Sequence, residues 1–151
     1  MGPRAGGAGA PRPRGLRPAA AGPPRRPALS TLERLTKICL ALPEAEREVH
    51  GRHAGFRVRG RTFAYYLVDH RGNEGIEGLV CKVRPGENAA LIGEDPERFY
   101  RPAYMHHHGW VGLRLDRPSV DWTEVEEMAV ESYVLVAPKR LARAVAAGPT
   151  P

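Results

Sequence analysis

The apolar pattern of residues 56–68 changes phase partway along. Phe56 and Val58 fall on even positions, whereas Phe63, Tyr65 and Leu67 fall on odd ones. Side chains alternate faces along a strand, so one continuous strand would turn half of this apolar set toward water. A tight turn around Gly60 resolves the conflict, giving an antiparallel hairpin with an Arg59-Gly60-Arg61 tip. Such a hairpin needs further strands beside it and a second layer over its oily face.

The flanking sequence supplies both. Ser30 with Glu33 three residues on is a capping box, and Leu32, Leu35, Cys39 and Leu42 follow at helical spacing until Pro43. The spacing predicts a first helix over 31–42. Glu44 to Gly55 reads as a short edge strand and a loop, and Asp69 to Gly78 as a turn-rich loop. Leu79, Cys81 and Val83 alternate with Val80, Lys82 and Arg84, a third strand with a cationic second face. Pro85-Gly86 breaks it. Glu87 to Ile92 is a short helix with Gly93 as its C-cap, Asp95-Pro96 opens another single turn, and Arg101 to Tyr104 is extended. In Gly109 to Asp116, Val111, Leu113 and Leu115 point one way and Trp110, Gly112, Arg114 and Asp116 the other. Asp121 then opens a long helix with the stripe Trp122, Val125, Met128, Ala129, Tyr133 and Val136, and after Pro138 a last helix runs to Gly148. Helix, strands, short helices, strand and helix pack naturally as a two-layer α+β domain, an antiparallel sheet covered on one face by helices.

Charge divides the chain differently. Residues 1–29 hold six arginines and no acid among Gly, Ala and Pro. They have too few large apolar groups to offset the entropy of ordering, so they read as a disordered basic tail. Without those six, the 23 basic residues fall to 17, against 17 acidic ones. The formal +6 belongs to the tail, and a domain over 30–147 is neutral, with 148–151 a disordered end. No signal peptide and no run of roughly 20 apolar residues is visible, so the expectation is a cytoplasmic monomer without a membrane segment. Cys39 and Cys81 both fall on core-facing positions and read as structural thiols.

Several short motifs occur in a fixed order: Phe56-x-Val58-x-Gly60-Arg61-x-Phe63-Ala64, Asp95-Pro96-x-Arg98-Phe99, Gly109-Trp110-Val111-Gly112-x-Arg114-Leu115-Asp116, Asp121-Trp122, and Ser132-Tyr133-x-Leu135-Val136-Ala137-Pro138-Lys139-Arg140-Leu141. Together they resemble the MmcQ/YjbR family over about residues 30–145. The resemblance implies a secretion-chaperone-like two-layer α+β fold, also described as double-wing, and carries an expectation of DNA binding. It supplies no catalytic residues. One departure stands out: the family often has a single histidine with Arg before Gly109, where this chain has His106-His107-His108.

The residues themselves allow competing readings. Arg57, Arg59 and Arg61 at the hairpin tip, with Lys82, Arg84 and Arg114 on the solvent-side parity of their strands, suit phosphate contact, since guanidinium matches phosphate oxygens bidentately. Trp110 suits stacking on an unpaired base. The bland reading is a solvated face with each Arg paired to a nearby Glu and Trp110 packed under a helix. Lys139 and Arg140 lie in the first turn of the last helix, where the dipole disfavours cations, so they want a phosphate or an internal carboxylate. His106 and His108 would share one face of a strand, with His50 or His53 as a third zinc ligand only if distant loops converge; exposed loop histidines are the plainer reading. No nucleophile elbow, phosphate-cradling Gly loop or Cys-x-x-Cys is present, so no catalytic residue and no cofactor is expected. The leading expectation is a non-catalytic, salt-sensitive DNA-binding module. The alternatives are a protein-interaction module on the same sheet face and, third, a small-molecule-binding protein or enzyme.

Overall fold

The structure, a computed structural model, describes residues 29–147; the basic tail and residues 148–151 of the sequence reading lie outside the described residues. In chain order the elements are α1 (Thr31–Leu40), β1 (Ala45–His50), β2 (His53–Val58), β3 (Arg61–His70), β4 (Asn73–Lys82), α2 (Glu87–Glu94), β5 (Phe99–Tyr100), a 3₁₀ turn (His106–His108), β6 (Trp110–Arg114), α3 (Trp122–Val136) and α4 (Lys139–Ala146). The strands form one antiparallel sheet in the order β1-β2-β3-β4-β6-β5. Helices α1, α3 and α4 pack over one face. The fold is α+β, as its sequence pattern implies.

The local reasons are legible. Ser30 accepts from the Glu33 N–H at 3.1 Å while Glu33 accepts from the Ser30 N–H at 2.9 Å, so the capping box closes and α1 starts there. Asp121 caps α3 through the Thr123 and Glu124 N–H groups. At the hairpin tip Arg59 and Gly60 have φ of 51° and 80°. Two left-handed residues in a two-residue loop match the right-handed twist of the strands they join.

The helix-side core gathers Leu35 and Cys39 of α1, Phe56 and Val58 of β2, Phe63, Ala64 and Tyr66 of β3, Leu79 and Cys81 of β4, Val111 and Leu113 of β6, and Val125, Ala129 and Tyr133 of α3. Each fully buried large side chain here contributes roughly 1.5–3 kcal/mol of transfer free energy. Phe63 meets Tyr133 edge-on at 5.2 Å, and the Tyr133 hydroxyl donates to the Pro43 carbonyl at 2.6 Å. Both cysteines are buried and free, as the alternation implies.

Four expectations need correction. Asp69 to Gly78 is not a loop but the second hairpin: β3 runs to His70, Arg71-Gly72 turns the chain, and β4 begins at Asn73. Phe63, Tyr65 and Leu67 do not share a face. A bulge opposite Phe56 and Arg57 leaves Phe63 unpaired between Thr62 and Ala64, so Phe63, Ala64 and Tyr66 join the helix side while Tyr65 and Leu67 turn to the other. Gly93 lies inside α2, whose C-cap is Asp95. The three histidines form a 3₁₀ turn rather than part of a strand, so His106 and His108 do not share a strand face.

The bulge gives the sheet a second apolar face. Leu67, Val80 and Tyr100 are buried there, with Tyr65, Ile76, Met105 and Trp110 packed around them. Tyr100 of β5 lies flat across the strands: a Cβ at Gly78 or Gly112 would run into its ring. Those glycines are what let an aromatic ring rest on the backbone.

Candidate nucleic-acid interface

Strand direction decides where the candidate residues meet. The β2–β3 tip, the end of β4 and the start of β6 lie at the same end of the sheet, because Ala64 pairs with Cys81 and Lys82 pairs with Trp110. Arg57, Arg59, Arg61, Lys82, Arg84 and Trp110 therefore collect at this end. Arg140 joins them through Glu44 at 3.8 Å, with Lys139 beside it in the first turn of α4. Arg114 does not. It pairs with Gly78 at the opposite end of β6.

Neighbouring carboxylates settle much of the charge at the tip. Arg59 holds Glu44 with two hydrogen bonds, Nε at 2.5 Å and Nη2 at 3.1 Å, and the Arg59 side chain keeps the Glu44 carboxyl below its ordinary range. Arg57 reaches Glu48 at 2.8 Å with the same effect on that carboxyl. Arg114 is tied bidentately to Asp116 at 3.2 and 2.7 Å. Arg61, Lys82, Arg84 and Lys139 pair with no carboxylate among the described residues. Lys82 and Arg114 do fall on the face away from the main core, as their parity implies. Arg114 is nevertheless tied to Asp116, Arg57 pairs with Glu48, and Arg59 and Arg140 share the single carboxylate of Glu44. The face around Lys82 is mainly aromatic and aliphatic.

That face has its own geometry. Trp110 and Tyr65 are half-buried, their ring centroids 5.7 Å apart at 51°. Tyr65 stands over Gly55 of the neighbouring strand. Trp110 is not under a helix; it lies on the face that α1, α3 and α4 leave uncovered. Lys82 is its direct cross-strand neighbour, so an ammonium group flanks the ring pair, whereas Arg61 pairs with the core residue Val58 and falls on the helix side of the tip.

Some residues at this end escaped sequence reasoning. Tyr65 was assigned to the core by parity. Buried Asn88 donates to the carbonyls of His106 and Trp110 at 2.7 and 3.3 Å, fixing the histidine turn beside the strand. Arg71 and Arg101, also without carboxylate partners among the described residues, line a hollow on the far side of that turn with His106 and His107. Nothing in their spacing signals this, because the β3–β4 turn that delivers Arg71 is itself unread. Among the described residues no group of three His, Cys, Asp or Glu side chains is placed to hold a metal ion, and no helix is long and apolar enough to cross a membrane.

A second charged cluster sits at the Arg114 end. Arg98 binds Asp95 at 2.6 Å and also Glu124, clamping α3 to the start of β5, and Arg117 approaches Glu97 at 3.6 Å around a hollow of about 300 Å³. Its charges are matched to one another, which suits an internal brace.

No curated protein matches the chain. Among solved structures, the crystal structure of Deinococcus radiodurans protein DR2400, a DUF419 domain, superposes with a TM-score of 0.57 at 22% identity, over 70% of this chain and 77% of that one. That likeness concerns the fold. The YjbR family model matches residues 40–135, from the end of α1 to near the end of α3, and the chain belongs to the YjbR family.

Proposed function

We propose that the domain is a non-catalytic module that binds single-stranded nucleic acid on the face of its sheet that α1, α3 and α4 leave uncovered. The observation that carries this reading is the pairing of Lys82 with Trp110 in register, with the Tyr65 ring 5.7 Å from the Trp110 ring on the same uncovered face. Two adjacent aromatic rings offer stacking surface to successive bases, worth about 1–3 kcal/mol per base. Lys82 and Arg84 supply phosphate contacts around them. Because Arg57 and Arg59 are already held by Glu48 and Glu44, the electrostatic part is modest and stacking carries more of the affinity than an Arg-rich wing would allow.

The test is anisotropy of labelled single-stranded and duplex DNA over a salt series, with the full chain and a version beginning at Ser30 to separate the six tail arginines. The proposal expects single strands to bind the shorter version, with a slope near 0.7 per phosphate contact. Trp110→Ala then weakens binding by about fivefold or more. Binding by the full chain alone, or preference for duplex that Trp110→Ala leaves intact, would sink it.

A second reading rests on a different observation. Tyr65, Ile76, Met105 and Trp110 leave a half-buried apolar rim around the buried Leu67, Val80 and Tyr100 on the same face, which suits an apolar patch on a protein partner. Single-strand affinity absent from both versions would favour that reading.

A further inference from the structure

The turn His106–His108 stands beside a hollow that the aromatic platform does not use. About 490 Å³ in volume, it is lined by Lys82 from β4, Pro85, Gly86 and Asn88 at the start of α2, and all three histidines. Asn88, 6% exposed, fixes the turn. Its Nδ2 donates to two carbonyls, which identifies that atom as the nitrogen, and it lies 3.4 Å from His106 Nδ1. Those two bonds use both amide hydrogens, so Asn88 fixes the turn through its backbone. His107 and His108 are exposed and stack on each other at 4.2 Å.

The charge of the hollow is unbalanced. The half-buried Lys82 has no ion-pair partner among the described residues, and no carboxylate lines the cavity. Glu87, the acid next to it in the chain, accepts from the Arg84 N–H at 3.3 Å instead. Three imidazoles, as N–H donors, thus share one hollow with an ammonium group that has no counter-ion. Such an arrangement favours an acceptor-rich anion, which gains charge-assisted hydrogen bonds on entry.

We propose that this hollow is a seat for a phosphomonoester dianion, with Lys82 supplying the charge and the His106–His108 imidazoles the N–H donors. Donors arrive from β4 and the turn, with the start of α2 on another side, and a monoester dianion offers them more charge than a phosphodiester monoanion. The seat goes beyond the platform reading, since it needs neither Trp110 nor base stacking. Its ligand is the terminal phosphate of a nucleic-acid strand or a free phosphorylated compound.

The experiment titrates inorganic phosphate into the full-length protein by calorimetry and by ¹H–¹⁵N imidazole spectra, then compares 5′-phosphorylated and 5′-hydroxyl oligonucleotides of one sequence. Phosphate should shift the His106–His108 imidazole signals, and Lys82→Met and His108→Gln should each weaken it about tenfold with an unchanged backbone spectrum. Trp110→Ala should leave phosphate affinity intact, so failure of the platform and failure of the seat are separable. Preference for the 5′-phosphorylated strand assigns the ligand to strand ends; equal affinity assigns it to free phosphorylated compounds. No phosphate binding, or binding that survives both substitutions unchanged, overturns the seat.

Discussion

The Ser132 hydroxyl donates to the Phe63 carbonyl oxygen at 2.6 Å across 69 positions of sequence, and accepts from the Lys82 N–H at 2.8 Å. It fills a gap that the β3 bulge opens in the ladder, bridging β3 to β4 from α3. Ser132 is fully buried, so its removal strands two backbone groups without water. Ser132→Ala should lower stability by about 1–3 kcal/mol per stranded group at most, read as a reduced urea midpoint with an unchanged slope.

Tyr100 couples to the glycines beneath it. Gly112→Ala should cost about 1–3 kcal/mol through overpacking against the ring. In a Tyr100→Ala background the same substitution should cost much less. A double-mutant cycle without coupling would mean that the ring does not press on the strand.

The two thiols should be silent in the native protein. Burial pushes the Cys81 thiol up to about 12, and burial foremost, with the neighbouring Cys81 adding to it, raises that of Cys39 too. Thiolate is the reactive form. A disulfide reagent should therefore label neither cysteine until the domain opens, and both together in urea. Rapid labelling of one would locate a local opening at α1 or β4.

Acid should loosen the Arg114 end. The Arg114 side chain, hydrogen-bonded to Asp116, holds that carboxyl below its ordinary 3.8, and Arg98 does the same for Asp95. A carboxyl depressed in the folded state stabilises it above its unfolded value; that contribution is lost as pH falls through the folded value. Asp116→Asn should thus lower Tm near neutral pH, and the gap from wild type should narrow as pH falls below 3.8. A gap independent of pH would argue against the ion pair.

The arginines at this end of the sheet should separate by role. Arg84→Glu should weaken single-strand binding and shorten the salt slope by about 0.7. Arg59→Ala, which releases Glu44 from a bidentate pair, should leave the slope unchanged and lower Tm.

Helix ends were legible because Ser30, Glu33 and Asp121 write their caps into three or four residues. The β2–β3 hairpin was legible because the parity conflict admitted few solutions. The bulge at Phe63 was not: an extra residue and a turn both shift parity, and this chain uses both within four residues. Residues 73–78 hid a strand because Gly75, Gly78, Glu74 and Glu77 resemble a loop, and Gly78 is explained only by Tyr100, 22 residues on. The candidate site suffered most. Arg57 meets Glu48 and Arg59 meets Glu44 through β1–β2 register, which no local spacing reveals, so charges that read as free are paired. Asn88 gives no signal at all until the turn it fixes is in place.

The bridge from Ser132 also sets a schedule for the growing chain. Lys82 and Ser132 are 50 residues apart, so the four-stranded meander leaves the ribosome well before the helix that pins it. At about 5–20 residues per second that interval is roughly 3–10 s. For that time the apolar face that α1, α3 and α4 come to cover stands open to chaperones and to neighbouring nascent chains.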